Sequence, residues 1–160
     1  LYGRALARDI KPGTGMVICL DHSTAMLQEA GRNARSAGVQ VALIRANAEN
    51  LPFADGVFAG VACGGSFNEF DNGDRVISEV RRTLQADGRS WWMQAQAAPT
   101  LAGRLLQRGL SSGGIRFPSG DALARALRSA GLRVTFDERR GAVQLIATRG
   151  HVLATNNEEP

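Results

Sequence analysis

Asp21 is the first residue placed to do chemistry. It ends the apolar run MVICL in the stretch KPGTGMVICLD, residues 11–21. A carboxylate at the end of such a strand accepts hydrogen bonds from both hydroxyls of a ribose better than a neutral side chain of similar size. Asp also simply terminates strands, so the residue by itself leaves both readings open. Gly13 and Gly15 stand just upstream. Nucleotide-binding glycines follow a first strand and open a helix, with backbone N–H groups facing the ligand. These two precede a strand, and they follow helix-like spacing at Leu1, Ala5, Leu6 and Ile10 that Lys11, Pro12 and Gly13 bring to a stop. PGTG therefore reads as a helix-to-strand turn.

Other reactive side chains are few. Glu69 is the nearest candidate base by position and His22 a poorer one; against this stands a plain reading as a loop carboxylate and a surface imidazole. Cys19 and Cys63 each sit inside an apolar run rather than in a C-x-x-C pair, as expected of buried, reduced thiols. His22 and His151 have no ligand spacing around them, so no structural metal is expected.

These residues need a scaffold, and the chain is long enough to build one. Its 160 residues match a common domain size, and 44% apolar with 21% charged residues is a globular composition. No run approaches the ~20 apolar residues of a membrane span, and no basic-then-apolar leader is visible. A soluble cytoplasmic protein is the expectation, although the first residue is Leu1 rather than Met, as in a fragment. Residues 1–80 carry 7 basic and 9 acidic groups, and residues 81–160 carry 12 and 6, so the net charge of +4 lies in the second half. Those arginines fall at helix-face spacing without interleaved aromatics, which predicts a solvated surface and no nucleic-acid partner.

Hydrophobic periodicity alternates strands with helices. MVICL is the first strand, and HSTAMLQEAGRNARSAG is a helix capped by Ser23, with Met26, Leu27, Ala30 and Ala34 on one face and Gly38 as terminator. VALIR, residues 41–45, is a second strand and 57–63 a third; Val76, Ile77, Val80 and Leu84 then line a helix that stops at Gly88. SWWMQ, residues 90–94, is the fourth strand, with a short helix at 101–107 and a glycine-serine stretch at 111–114 behind it. Ser119 caps a helix ended by Gly131, and LRVTFDE and AVQLIAT follow, joined by Arg139-Arg140-Gly141 alone. So short a joint makes them antiparallel. The tail, HVLATNNEEP, is polar. The pattern predicts an α/β fold, a Rossmann-like mostly parallel sheet closed by an antiparallel hairpin strand, over residues 1–149. Ligands of such sheets bind at strand carboxyl ends, here Asp21, Asn47 and Gly64-Gly65.

With LDHSTAML, RANAENLPFADGVF and EVRRTLQADGR in order, the chain resembles the class I S-adenosylmethionine-dependent methyltransferases, particularly the ubiquinone/menaquinone-biosynthesis type. The resemblance runs from Leu1 to about Arg149. It implies S-adenosylmethionine as cofactor, S-adenosylhomocysteine as product and a small-molecule acceptor. It further implies that Asp21 binds the ribose with His22 beside it, that Met26 packs on adenine, and that Asn47 and Ala48 hold the adenine amino edge. Cys63, Gly64, Gly65 and Ser66 would line the methionine end and the acceptor pocket, with Asn68 and Glu69 further out. Trp91, Trp92 and Phe117 would be an acceptor wall or ordinary core.

The chain departs from that pattern in three places. Asn47 stands where the family usually has Asp, which removes charge assistance from the adenine contact. Ala59 stands where an Asp usually follows Phe, a change of folding or loop position rather than chemistry. The family's first strand and its glycine loop would lie before Leu1, which predicts a sheet lacking its central member. Two rivals remain at this level. A nicotinamide-dependent reductase would need a Tyr/Lys or His set, yet the sole Tyr is Tyr2 and the sole Lys is Lys11. A non-catalytic methyltransferase-like module is the other.

Overall fold

The computed structural model describes residues 2–11, 13–65, 67–95, 121–141 and 143–150. Helix α1 (Tyr2–Asp9) leads to β1 (Ile18–Asp21), α2 (Thr24–Ser36) and β2 (Ala42–Arg45). Then follow β3 (Phe58–Gly64), a 3-10 turn (Phe67–Glu69), α3 (Gly73–Thr83), β4 (Leu84–Ala95), α4 (Ala122–Ser129), β5 (Arg133–Arg140) and β6 (Val143–Arg149). The strands form two ladders, a pair β1-β2 and a four-stranded sheet in the order β3-β4-β6-β5. β1-β2 and β3-β4 are parallel, and β6 is antiparallel to both its neighbours, the reversed strand expected of the closing hairpin. The Rossmann-like α/β class holds. By compactness the chain divides into Leu1–Pro52 and Phe53–Pro160.

The first unit is small. Ser23 caps α2, accepting from the Met26 N–H at 3.4 Å, and Gly38 at φ +67 turns the chain out of the helix. Leu27, Gly31 and Ala34 are its buried positions. Gly31 belongs there for closeness: a Cβ on it would come within 3.0 Å of the Leu43 side chain of β2. Gly3 of α1 lies tighter still, since a Cβ there would overlap the Cys19 Sγ of β1. Burial in this contact raises the Cys19 thiol pKa above its ordinary value. Both cysteines are free thiols, and each is half-buried rather than buried as their apolar runs suggest.

The second unit carries the larger core. Val76, Ile77 and Val80 of α3 and Leu123 and Leu127 of α4 are buried, with Trp92 and Ile146 of the sheet. On that face Ser90, Thr148 and Trp92 form a closed polar set: Ser90 Oγ and Thr148 Oγ1 are 2.6 Å apart, and the Trp92 indole N–H donates to Ser90 Oγ at 2.7 Å. Deeper along the strands Gln94 donates to Gln144 at 2.8 Å, and Gln144 to Asp137 at 2.7 Å.

Most strand boundaries move by one or two residues, β1 beginning at Ile18 and leaving Met16 exposed, and the largest departure from the periodic reading is at the α3-β4 junction. Helix α3 ends at Thr83, and Leu84 already pairs with Phe58, so β4 begins before Gly88 rather than after it. The cause is Arg82, whose guanidinium donates to Phe53 O and Asp55 Oδ1 at 2.7 Å each and to Glu79 Oε2 at 2.7 Å, binding the last turn of α3 to the loop before β3. Residues 85–88 are accommodated by the register shift between Phe58 and Gly60. Helix α4 takes Asp121 as its N-cap residue. The expected Ser119 cap, the 101–107 helix, the 111–114 stretch, Phe117, His151 and the polar tail lie outside the described residues.

Candidate functional site

Within the first unit, the parallel register sets Asp21 opposite Arg45, which brings the ends of β1 and β2 together. The Asp21 carboxylate is held rather than loose. Its Oδ1 accepts the Ser23 N–H at 2.8 Å, an Asx turn that passes the chain from β1 straight into the capped start of α2. The side chain keeps 33% of its surface exposed, and among the described residues none donates to Oδ2. A fixed carboxylate with one oxygen not engaged by any described residue, beside a helix N-terminus, fits a vicinal diol.

His22 follows with its ring almost wholly in solvent and Nδ1 3.6 Å from Asp21 Oδ1, too long for a hydrogen bond. Its backbone carbonyl does the ordering, accepting from Arg45 Nε at 3.1 Å. Arg45 is a residue the sequence reading missed. Nothing in its spacing marks it, because the contact spans 23 positions and exists only through the β1-β2 pairing.

The face that periodicity gives to Met26, Leu27, Ala30 and Ala34 is covered only in part, and Met26 lies outside the covered part. It is 57% exposed, while Leu27, Gly31 and Ala34 face inward. An apolar, polarizable thioether in solvent one turn into the helix that follows Asp21 is a surface suited to a flat ring.

Asn47 lies two residues beyond the end of β2. Its Oδ1 accepts the Glu49 N–H at 2.9 Å and its carbonyl accepts the Asn50 N–H at 3.1 Å, so the side chain is used to fold its own turn. That bond also orients the amide, since only the oxygen can accept. The face left over carries an NH2 donor, where an aspartate in the same turn would carry a second acceptor. Ala48 is half-buried in the same turn.

The second unit holds Cys63, Gly64, Gly65 and Glu69. Cys63 pairs in register with Trp92 and Gly64 with Met93 at the carboxyl ends of β3 and β4. Gly65 donates to Met93 O at 2.8 Å and turns at φ +81, a conformation that glycine adopts without strain, with nothing within 4 Å of where a Cβ would sit. Phe67 anchors the segment that follows, its ring edge-on to Trp92 at 5.7 Å and to Phe70 at 6.2 Å. Gly73 admits that ring, for a Cβ there would come within 2.8 Å of it. Glu69 closes the 3-10 turn, exposed, and no described residue hydrogen-bonds its carboxylate. Ser66 and the Asn68 side chain lie outside the described residues. Of the two tryptophans, Trp92 is core and Trp91 is 44% exposed. Among the described residues no cluster of His, Cys, Asp and Glu could hold a metal, and no helix is long and apolar enough to cross a membrane.

Comparison with known proteins bears on both units. A family model described as a methyltransferase domain matches residues 1–88. A demethylmenaquinone methyltransferase of Thermus thermophilus is 28% identical over 143 residues, which is 76% of this chain and 65% of the relative. The chain spans less of the other curated relatives, 30–35% of their length. Among solved structures, an S-adenosylmethionine-dependent methyltransferase of Aquifex aeolicus superposes with TM-score 0.71 at 14% identity, covering 92% of this chain and 78% of that one. The cyclase SpnF superposes with TM-score 0.75 at 19% identity, covering 92% and 69%. Both likenesses speak to the fold, and SpnF shows that the fold hosts chemistry under other names.

Proposed function

We propose that this chain, which belongs to the methyltransferase-domain family, serves the transfer of a methyl group from S-adenosylmethionine to a small-molecule acceptor. The observation that carries the reading is Asp21. It stands at the end of β1, half-buried, with Oδ1 fixed by the Ser23 N–H at 2.8 Å and no donor to Oδ2 among the described residues. This is the arrangement a ribose diol needs, and Met26 leaves its apolar surface exposed one helical turn away.

When bound, S-adenosylmethionine supplies a methyl group already activated by the sulfonium. The protein's share is alignment and exclusion of water, and alignment alone is worth up to roughly 7–11 kcal/mol in favourable intramolecular models. On this reading Asp21 grips the ribose, Met26 covers the adenine, and Asn47 with Ala48 meets its edge. His22 supplies its backbone to the loop rather than its ring to the chemistry, because the carbonyl is the group held by Arg45. Cys63, Gly64 and Gly65 are the residues assigned to the methionine end, where the absence of a side chain on Gly65 leaves room. Glu69 is assigned as the base for an acceptor that must lose a proton, being an exposed carboxylate beyond that turn.

The acceptor class to try first is the demethylated quinone ring, since demethylmenaquinone methyltransferases are among the relatives. Calorimetric titration with S-adenosylhomocysteine tests the cofactor half. Asp21→Ala is expected to weaken binding at least tenfold, about 1.4 kcal/mol, and to lower the melting temperature slightly through loss of the Ser23 N–H bond. Equal affinity in both proteins would remove the ribose assignment. Methyl transfer to a demethylated quinone tests the acceptor half separately.

A further inference from the structure

Asp21 and Arg45 are register partners at the ends of β1 and β2, on strands about 4.8 Å apart. Opposite charges so placed attract, yet among the described residues no arginine lies within ion-pair distance of the Asp21 carboxylate. Each side chain is instead committed to one end of the same peptide unit. The peptide joining His22 to Ser23 is planar, with its carbonyl and its N–H pointing opposite ways. Arg45 Nε donates to that carbonyl at 3.1 Å, and the N–H donates to Asp21 Oδ1 at 2.8 Å. Neither neighbouring element takes this peptide. The β1-β2 pairing reaches as far as the Asp21 carbonyl, which accepts the Ala46 N–H at 3.2 Å, and α2 begins with the Ser23 carbonyl, which accepts the Leu27 N–H at 3.1 Å. The His22 carbonyl falls between the two, and Arg45 is the side chain that reaches it.

We propose that Arg45 is a positioning residue for the ribose: by holding the His22–Ser23 peptide plane it aims the Ser23 N–H at Asp21 and so sets the carboxylate for the diol. The inference rests on the assignment of Asp21 to the ribose made above. Two physical effects act together. Fixing the carbonyl stops the peptide rotation that would carry the N–H away from Oδ1, so the carboxylate is oriented before a ligand arrives and not at the ligand's expense. A guanidinium donating to the carbonyl also polarises the peptide, which strengthens its N–H as a donor. The same commitment keeps the guanidinium off Asp21, whose Oδ2 has no donor among the described residues. Because the bond is made by Nε, the role separates from plain electrostatics. Glutamine carries its amide nitrogen as many bonds from the backbone as the Arg Nε, without the charge or the terminal nitrogens. Methionine has a stem of similar length and no donor.

On the full chain, amide exchange followed by NMR reads the link from Arg45 to Asp21, and calorimetry with S-adenosylhomocysteine reads the link from Asp21 to ligand. Arg45→Met is expected to speed exchange of the Ser23 amide about fivefold while the amides of the buried Leu27 and Ala34 keep their rates. It is also expected to weaken S-adenosylhomocysteine binding about fivefold. Arg45→Gln is expected to restore most of both losses. In an Asp21→Ala background, Arg45→Met is expected to cost no further affinity, because the residue acts through that carboxylate. An unchanged Ser23 exchange rate, a glutamine variant no better than the methionine one, or a loss that adds to that of Asp21→Ala would each overturn the proposal. A wild-type chain that does not bind S-adenosylhomocysteine would remove the ribose assignment itself, and the exchange rates would then decide alone whether Arg45 holds Asp21.

Discussion

The two units are built to different standards. In Leu1–Pro52 the strands are four residues long, no residue of β1 is fully buried, and the interior is Leu27, Gly31 and Ala34. In Phe53–Pro160 the strands run to 12 residues, and Trp92, Leu127 and Ile146 are almost completely enclosed. Yet the first unit carries Asp21, Met26 and Asn47, the residues proposed above to meet a nucleoside. A ligand needs open hydrogen-bonding atoms and exposed apolar surface, which are the features a stable core removes. Local stability varies within a protein for this reason, and ligand-binding parts come from its less stable end.

Breaking the second unit should produce the largest effect. Trp92→Ala removes an enclosed indole, its bond to Ser90 and the bed of Phe67. It is expected to lower stability by about 3–5 kcal/mol, read by denaturant unfolding. A loss below 1 kcal/mol would mean that this core is not the stronger one. Gly3→Ala strikes the first unit at its tightest point, against Cys19. Overpacking there is expected to cost about 1–3 kcal/mol. Hydrogen exchange should show protection lost at β1 and β2 while β4 and β6 keep theirs; uniform loss would refute the contrast. The smallest and most local change is Asn47→Asp. It leaves the turn to Glu49 intact and replaces the outward NH2 by a charged acceptor. Affinity for S-adenosylhomocysteine is expected to rise several-fold, about 1 kcal/mol, and an unchanged or weaker affinity would detach Asn47 from the adenine edge.

Much of the scaffold was legible because periodicity reports it. The strand ending at Asp21, the Ser23 cap, the Gly38 stop and the antiparallel hairpin all follow from local rules about caps, turns and joint length. The end of α3 was misread because Leu84 continues the helical stripe in sequence, while Arg82 ties the preceding turn to residues 53–55 from 27 or more positions away. The exposure of Met26 was not legible from periodicity, because a 3.6-residue period shows that a helix has an apolar stripe but not how wide a strip its neighbour covers.

The amino-acid sequence by itself determined the element types, the strand-end acid and the lack of metal-ligand spacing, since each depends on residues close together in the chain. Tertiary structure alone decided which atoms of those residues remain available. It committed Asn47 Oδ1 to a turn, placed Arg45 on the His22 carbonyl, and sent Trp92 into the core while leaving its neighbour Trp91 outside. Alternation along a strand says that adjacent residues face opposite ways. Which of the two ways is covered depends on where the helices pack, and that is settled between residues far apart in the chain.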